Sequence, residues 1–330
     1  MKIIRMNNDN NSYYNLASEE YLLKYDKDLL NEDLFIIWQN NNAIIIGNNQ
    51  NAHSEINQIY TSKNNIAVVR RISGGGAVYH DDGNINFTFI KRKARDKFKF
   101  TTCLSDILDF FVSIGLNATF SGRNDIEVNG FKVVGNAVYF YENDYLLHGC
   151  ILFDTNLSIL ASALNVDKSK LISKGIESVK SRVTNIKQFY NVSIEEFISK
   201  MITYFENKYN TVCELIDFRN IEKVKELKET KFSLYDYNFG KTYDFNYSNK
   251  IKLPSGLIQV SLELEKTKIK NIEFYTDSLF AFNFKKLKDV FINQIYNIEN
   301  IEKILKSVDL NFYYEGLDNK TLIELLFKND

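Results

Sequence analysis

Three glycines in a row, Gly74, Gly75 and Gly76, follow Arg70, Arg71, Ile72 and Ser73 in the run RRISGGGAVYHDDGN. The chain has only 14 glycines in 330 residues, against a usual share of about 7%, so compositional drift does not account for the triple. Bare backbone at the end of a strand exposes successive N–H groups that can converge on phosphate oxygens with no Cβ in the way. Neighbouring arginines add charge and forked donors. The spacing is not a P-loop, since no Gly-Lys-Ser or Gly-Lys-Thr follows. Nor is it a dinucleotide fingerprint, since G-x-G-x-x-G is absent and AVYHDDGNINFTF reads as strand rather than helix. A tight hairpin or bulge would call for the same glycines.

Other residues offer related chemistry. GRNDIEVNGFKVVGNAVYF carries Asn124 and Asp125, then Lys132 between Phe131 and the pair Val133 and Val134. A lysine held among apolar strand residues needs an anionic partner, because an unpaired buried ammonium is expensive. Phosphate would serve; a lysine that snorkels to the surface would need none. His80 and His148 sit among strand apolars, where packing and hydrogen bonding are the ordinary use of a lone histidine. SKGIESVKSRVTN combines Gly, Ser, Lys and Arg with little periodicity, as suits a loop that orders over an anion or one that is simply solvated.

The elements that must position these residues read as mixed α and β. LFIIWQ, AIIIG, IAVVRR and INFTFI are short β-rich runs, and Asn117 to Phe153 continues in strands broken by a hairpin turn at Asn129-Gly130. NLASEEYLLKY predicts a helix capped by Asn15, with Glu19 and Glu20 as acids of the early turns. CLSDILDFFVSIG predicts another with Leu104, Ile107, Leu108, Phe111 and Val112 on one face and Gly115 as its stop. SIEEFISKMITYFENKY opens with Ser193 and Glu196 in capping-box spacing and turns Ile194, Phe197, Ile198, Met201 and Phe205 inward. Lys223 to Ser248 has little pattern, and the only proline, Pro254, stands just beyond it. A boundary there divides the chain into 1–245 and a small α+β domain, 250–330. In the latter, LIQVSLELE and IKNIEFYT alternate as hairpin strands, and FKKLKDVFINQIY and NKTLIELLF are helical.

Composition narrows the class. Hydrophobic residues make up 45% and charged residues 25%, the balance of a soluble globular protein. With 41 basic and 42 acidic residues the net charge is -1, so no global field draws nucleic acid or an anionic membrane, and an anion site must be local. Cys103, Cys150 and Cys213 are isolated, without metal or disulfide spacing. The N-terminus has no apolar signal region and no run is long enough to span a bilayer, which predicts a cytoplasmic protein.

Together the segments closely resemble the lipoate-protein ligase family. The pieces are WQNNNAIIIGNNQNAHSEIN, RRISGGGAVYHDDGNINF, GRNDIEVNGFK followed by GNA, HGCILFDTNL, and SKGIESVKSRVTN, and the stretch from GLIQVSLELEKTKIKNIEFYTDSL onward is similar to the accessory domain of longer bacterial members. The resemblance implies an α+β fold, a biotin/lipoate ligase-like catalytic domain with mixed β-sheets flanked by helices, plus that accessory domain. It implies that lipoate and ATP give lipoyl-AMP and pyrophosphate, with Mg²⁺, and that the lipoyl group then passes to a lysine of a lipoyl domain. Carriers would be 2-oxoacid dehydrogenase E2 subunits or glycine cleavage H protein, with no nucleic acid or membrane partner. Lys132 matches the lysine that contacts the lipoyl carbonyl and the adenylate phosphate. Arg71 and the backbone of Gly76, Ala77, Val78 and Tyr79 fall on the nucleotide-binding loop; Asn124, Asp125, Ala137, Ser178 and Arg182 join them, Asp125 also for Mg²⁺. Arg70, Ser73, Gly74, Gly75, His80, Gly135 and His148, with Lys132, fall to the lipoyl group. Lys174 to Val183 match a loop that folds over the adenylate.

The departures are few: Cys150 stands where Thr or Ser is usual, Asn48 where Arg or Lys is common, and His53 where Trp is frequent. Rival readings are an ATP-independent octanoyl or lipoyl acyltransferase, which needs a cysteine near Asn124 and Asp125; a biotin-protein ligase, whose glycine loop has a different pattern; and a non-catalytic carrier of lipoyl-AMP.

Overall fold

The run LFIIW has no polar face to offer water, so it can only be an interior strand, and all five of its residues are buried. It lies near the middle of an eight-stranded mixed sheet. The protein is seen in a computed structural model that describes residues 1–122, 124–164, 183–239, 247–279 and 283–327. The chain forms two units, the first Met1–Ile45, His53–Ile72 and Ala77–Asn238, the second Ile46–Ala52, Ser73–Gly76 and Phe239–Asp330.

In the first unit the strands are β1 (Lys2–Met6), β2 (Leu34–Trp38), β3 (Ala43–Ile46), β4 (Ala67–Arg70), β5 (Val78–His80), β6 (Asn84–Lys91), β7 (Ala118–Ser121), β8 (Asp125–Val128), β9 (Phe131–Tyr141), β10 (Asp144–Leu152) and β11 (Cys213–Ile216). The large sheet runs β11-β1-β2-β6-β10-β9-β8-β7, and β4-β3-β5 form a small one. Strand β1 is parallel to both neighbours, and from β2 to β7 every pairing is antiparallel. The turn at Asn129-Gly130 has φ +51 and +82, the pair of positive angles that a two-residue hairpin of this hand requires.

Register turns this sheet into a site. Directly paired residues share a face. One row reads Leu34, Ile90, Leu146, Tyr139; the next, two residues along, Ile36, Thr88, His148, Ala137; the next, Trp38, Asn86, Cys150, Gly135, Asp125. A face that starts apolar thus becomes polar within four residues.

Helices cover both sides of the sheet. Helix α1 (Ser12–Lys24) packs Leu16, Ala17, Leu22 and Leu23 against Leu34, Ile36, Trp38 and Ile90. Its cap is Asn11, whose side chain accepts from the N–H groups of Tyr13 and Tyr14, not the expected Asn15. Asn15 lies a turn inside the helix and donates to Gln39 O at 2.6 Å and Asn40 Oδ1 at 2.9 Å. On the opposite side, α2 (Phe100–Ser113) and α3 (Ile194–Tyr209) form an aromatic layer, with Phe205 stacked on Phe35 at 3.8 Å between centroids and Phe110 edge-on to Phe197. In α2 the buried face takes in Phe110, while Val112 is 56% exposed against expectation. In α3, Ser193 Oγ caps Glu196 N–H at 3.1 Å as the spacing predicts, and Phe197, Ile198, Met201 and Phe205 are buried, but Ile194 sits at the margin. The stretch read as unpatterned contains helix Glu222–Leu227, a wider turn at Lys228–Phe232 and helix Tyr235–Phe239; Val224, Leu227 and Phe232 join the α1 cluster.

In the second unit β12 (Tyr247–Leu253), β13 (Gly256–Glu265) and β14 (Lys268–Thr276) make an antiparallel sheet. The expected hairpin is β13–β14, and β12 is an addition. The first predicted helix stops at Phe291, the second spans Asn319–Phe327, and Ile298–Leu305 and Leu310–Tyr313 are two more. Their apolar faces meet the sheet around Ile258, Val260, Leu287, Phe291 and Leu325.

Candidate active site

Lys132 stands on β9 where the β8–β9 ladder shifts register between Ile126 and Glu127. That irregularity re-aims the side chain. Its Nζ lies 2.9 Å from Asp125 Oδ1, an ionic contact whose angles do not make it a hydrogen bond. Nζ and Cε are each 3.5 Å from the position a Cβ on Gly135 would take, so the ammonium lies over a residue with no side chain. The expected apolar enclosure is looser than the sequence suggested, with Phe131 40% exposed and the lysine side chain 35% exposed. The anionic partner is Asp125, at 27% exposure. A pair this open contributes about 0–1 kcal/mol, so an arriving phosphate can compete for the ammonium. Asn124 is occupied elsewhere: its Nδ2 donates to Asn136 O at 2.8 Å, and Asn136 Nδ2 donates back to Asn124 O at 2.7 Å.

Along the same face lies a buried polar chain. Trp38 Nε1 donates to Thr88 Oγ1 at 2.9 Å, Thr88 Oγ1 donates to Glu19 Oε1 at 2.5 Å, and His148 Nδ1 is 3.1 Å from that same oxygen. A carboxylate facing Nδ1 fixes the proton there. His80 is oriented from the other side. Asn40 uses its oxygen to accept from Asn15, so its amide hydrogens face His80 Nδ1 at 3.0 Å, and the ring hydrogen sits on Nε2. That buried Nε2 has no hydrogen-bond partner among the described residues. Burial, then the nearby Arg71 and His148, push the His80 ring down to about 3, so it is neutral at physiological pH.

The two arginines differ. Arg70 is tied to the helix at 235–239: its backbone N–H donates to Asn238 Oδ1, Nε to Tyr237 O, and Nη2 to Asn238 O at 2.7 Å. Arg71 is buried, donates from Nη1 to Ile45 O at 3.0 Å, and is brought down by burial to about 10, still a cation at neutral pH. Val78 and Tyr79 form β5, with Tyr79 Oη donating to Asn42 Oδ1 at 3.2 Å, and Ala77 precedes them. Cys150 accepts from Asn84 Nδ2 at 2.7 Å, and burial pushes its thiol up to about 12. A thiol so far from ionising is a poor nucleophile.

Lys132, Asp125, Gly135, Ala137 and His148 are therefore brought onto one sheet face, with Arg71 and His148 both near enough to His80 to bear on its charge. Ser73 to Gly76 fall in the second unit. There Gly75 has φ +92 and donates its N–H to Ser278 O at 3.1 Å. A Cβ on Gly74 would come within 2.7 Å of Ser278 O, and one on Gly47 would fall inside the Gly75 carbonyl. Gly76 has nothing within 4 Å of its missing Cβ. Gly74 thus answers to close backbone packing, Gly75 to a positive φ and Gly76 to open space. Ser178, Arg182 and the loop from Lys174, up to Arg182, lie outside the described residues.

Thr88, Trp38 and Asn40 are not singled out by sequence, and Glu19 only as a helix acid with no part in the site. The available signal was Glu19 four residues after Asn15, which stacks both on the inward side of α1. As for Mg²⁺, no group of three His, Cys, Asp or Glu side chains among the described residues could hold a metal ion. Asp125 is a single carboxylate already facing an ammonium, which does not fit a protein-held Mg²⁺.

Residues 11–206 match the family model described as lipoyl protein ligase A/B catalytic domain, and residues 242–326 match bacterial lipoate protein ligase C-terminus. A probable lipoate-protein ligase A of Mycoplasma pneumoniae is 36% identical over 323 residues, covering 96% of this chain and 95% of that one. Among solved structures, P. falciparum LipL1 in complex with lipoate superposes with TM-score 0.79 at 26% identity, covering 98% and 97%. A lipoate-protein ligase A bound with ATP, at 24% identity, TM-score 0.59 and coverage of 72% and 98%, shares the fold. The mixed sheets flanked by helices have the biotin/lipoate ligase-like fold. The chain belongs to the lipoate-protein ligase family, and it is an enzyme. Among the described residues no helix is long and apolar enough to cross a membrane.

Proposed function

We propose that the protein activates lipoate with ATP and joins it to a lysine of a lipoyl domain. In the first step a lipoate carboxylate oxygen bonds to the α-phosphorus while the bond to pyrophosphate breaks. In the second the lysine amine attacks the acyl carbon, AMP departs with the electrons of the C–O bond, and the amine gives up a proton. Two anions must meet in the first step, and the placement of the Lys132 ammonium over Gly135 is the observation that carries the reading. It acts electrostatically on the α-phosphate and the developing oxyanion, and Asp125 holds it until the phosphate arrives.

Arg71, the backbone from Gly76 to Tyr79, and Ala137 are assigned to the nucleotide. His80 and His148, with Glu19 behind the latter, are assigned to the acyl slot, where the oriented Nε2–H of His80 is a ready donor. Arg70 and Asn124 are better explained as supports, since Nε and Nη2 of Arg70 and Nδ2 of Asn124 donate to backbone carbonyls. Any Mg²⁺ arrives on the nucleotide's phosphates. The protein acts in the cytoplasm on E2 subunits or H protein. A thioester mechanism is disfavoured by the raised Cys150 thiol.

Exchange of labelled pyrophosphate into ATP, dependent on lipoate, tests the first step. Lys132→Ala is expected to lower it by on the order of 100-fold or more without loss of fold. A variant exchanging at the normal rate would remove Lys132 from the chemistry.

A further inference from the structure

Val183, Thr184 and Asn185, the last three residues of SKGIESVKSRVTN, lie beside the lysine. Val183 makes an isolated parallel bridge with Lys132, and the Thr184 N–H donates to the Lys132 carbonyl at 3.1 Å. This short pairing lies on the β9 backbone at the residue whose side chain reaches Asp125. The adjoining Asn185 side chain grips another strand end. Its Oδ1 accepts from the Thr155 N–H at 3.1 Å, and its Nδ2 donates to the Thr155 carbonyl at 2.9 Å. Thr155 follows β10, and its two neighbours are fastened to the turn after His80: Asp154 N–H donates to Gly83 O at 2.8 Å, and Asn156 N–H donates to Asp81 Oδ2 at 2.8 Å. A Cβ on Gly83 would fall on the Asp154 carbonyl, so the joint admits no slack there.

We propose that Asn185 is a positioning residue for Lys132, resting on the assignment of Lys132 to the chemistry. One amide side chain joins the β10 end, and through it the His80 turn, to the backbone segment that pins the lysine. Both its hydrogen-bonding atoms are used on the backbone of one residue, the N–H and the C=O of Thr155, a two-point grip that fixes orientation as well as distance. A shift of about 1 Å in a reacting group can cost on the order of 100-fold in rate, and the pinned residue is the one over Gly135.

Asn185→Ala is expected to lower the turnover of lipoate-dependent pyrophosphate exchange tenfold or more, with KM for ATP and lipoate within about twofold, because the variant displaces the ammonium without removing a substrate contact. In a Lys132→Ala background the same change should cost nothing further, since a residue that acts through another loses its effect when that other is gone. An added loss in the double variant would show a merely structural role and overturn the proposal. Hydrogen exchange keeps the test independent of activity. The Thr184 amide should exchange at least tenfold faster in Asn185→Ala, while the Leu147 amide in the β10 ladder is unchanged; equal protection of Thr184 would overturn the proposal even in an inactive variant. Normal exchange activity in Lys132→Ala alone would instead refute the functional assignment on which the proposal rests.

Discussion

Glu19 Oε1 lies 3.1 Å from His148 Nδ1, with the carboxylate only 1% exposed, and the same oxygen accepts from Thr88. A helix residue thereby holds a strand histidine in one tautomer and one direction. Glu19→Gln keeps the shape and loses the charge. Hydrogen bonds to a charged group contribute about 1.5–3 kcal/mol, so the variant should lose about that much stability in urea denaturation. If its midpoint matches the wild type, the buried carboxylate is not held by these bonds.

His80 makes stability depend on acid. Its folded pKa, about 3, lies below the ordinary value of 6.5, so between those pH values the unfolded chain binds a proton that the folded chain refuses. Stability from this group is present above pH 6.5 and is lost as pH falls, by about 2 kcal/mol between pH 7 and pH 5. Replacing His80 by Gln should make the acid limb shallower by that amount. Parallel wild-type and variant curves over this range would place the histidine in a far less buried setting.

The three glycines are expected to separate. Gly75→Ala meets a positive φ, and Gly74→Ala meets the Ser278 carbonyl; each should cost at least 1 kcal/mol. Gly76→Ala has open space and should stay within about 0.5 kcal/mol of wild type. Loss of pyrophosphate exchange in a stable Gly76→Ala protein would mean that substrate, not the fold, needs the bare backbone there. Full activity would instead remove Gly76 from the nucleotide loop.

Much of this architecture is legible in the sequence because strands with one environment on each face declare themselves: LFIIW, INFTFI and the Asn129-Gly130 turn are where their residue types put them. The approach of Lys132 to Asp125 is not legible, since it depends on a register shift that no local pattern encodes. Glu19 reads only as an early-turn acid because a helix pattern does not say what it faces, and its partners Thr88 and His148 come from strands far along the chain. The same holds for Gly74, whose need for bare backbone comes from Ser278, which sequence proximity could not reveal. Asn15 is not the cap: Asn11 has an equal claim by type, and only the side-chain contacts decide between them.

Cys150 is the one residue at this site that could suggest a covalent route. It shares the row of Trp38, Asn86, Gly135 and Asp125, and its thiol is held near 12 by burial, only partly offset by the Asn84 amide. At neutral pH it is therefore a neutral, hydrogen-bonded packing group. A thiolate would also need a base to take its proton, and His148, the histidine nearest in the ladder, has its Nδ1 turned to Glu19. Cys150→Ser keeps a small group that can accept from Asn84 and removes the possibility of a thioester. It should retain lipoate transfer within about threefold, and intact-mass measurement of wild type incubated with lipoate and ATP should show no adduct that hydroxylamine releases. A loss of 100-fold or more in Cys150→Ser, together with a hydroxylamine-labile adduct on the wild type, would overturn the adenylate route in favour of acyl transfer through sulfur.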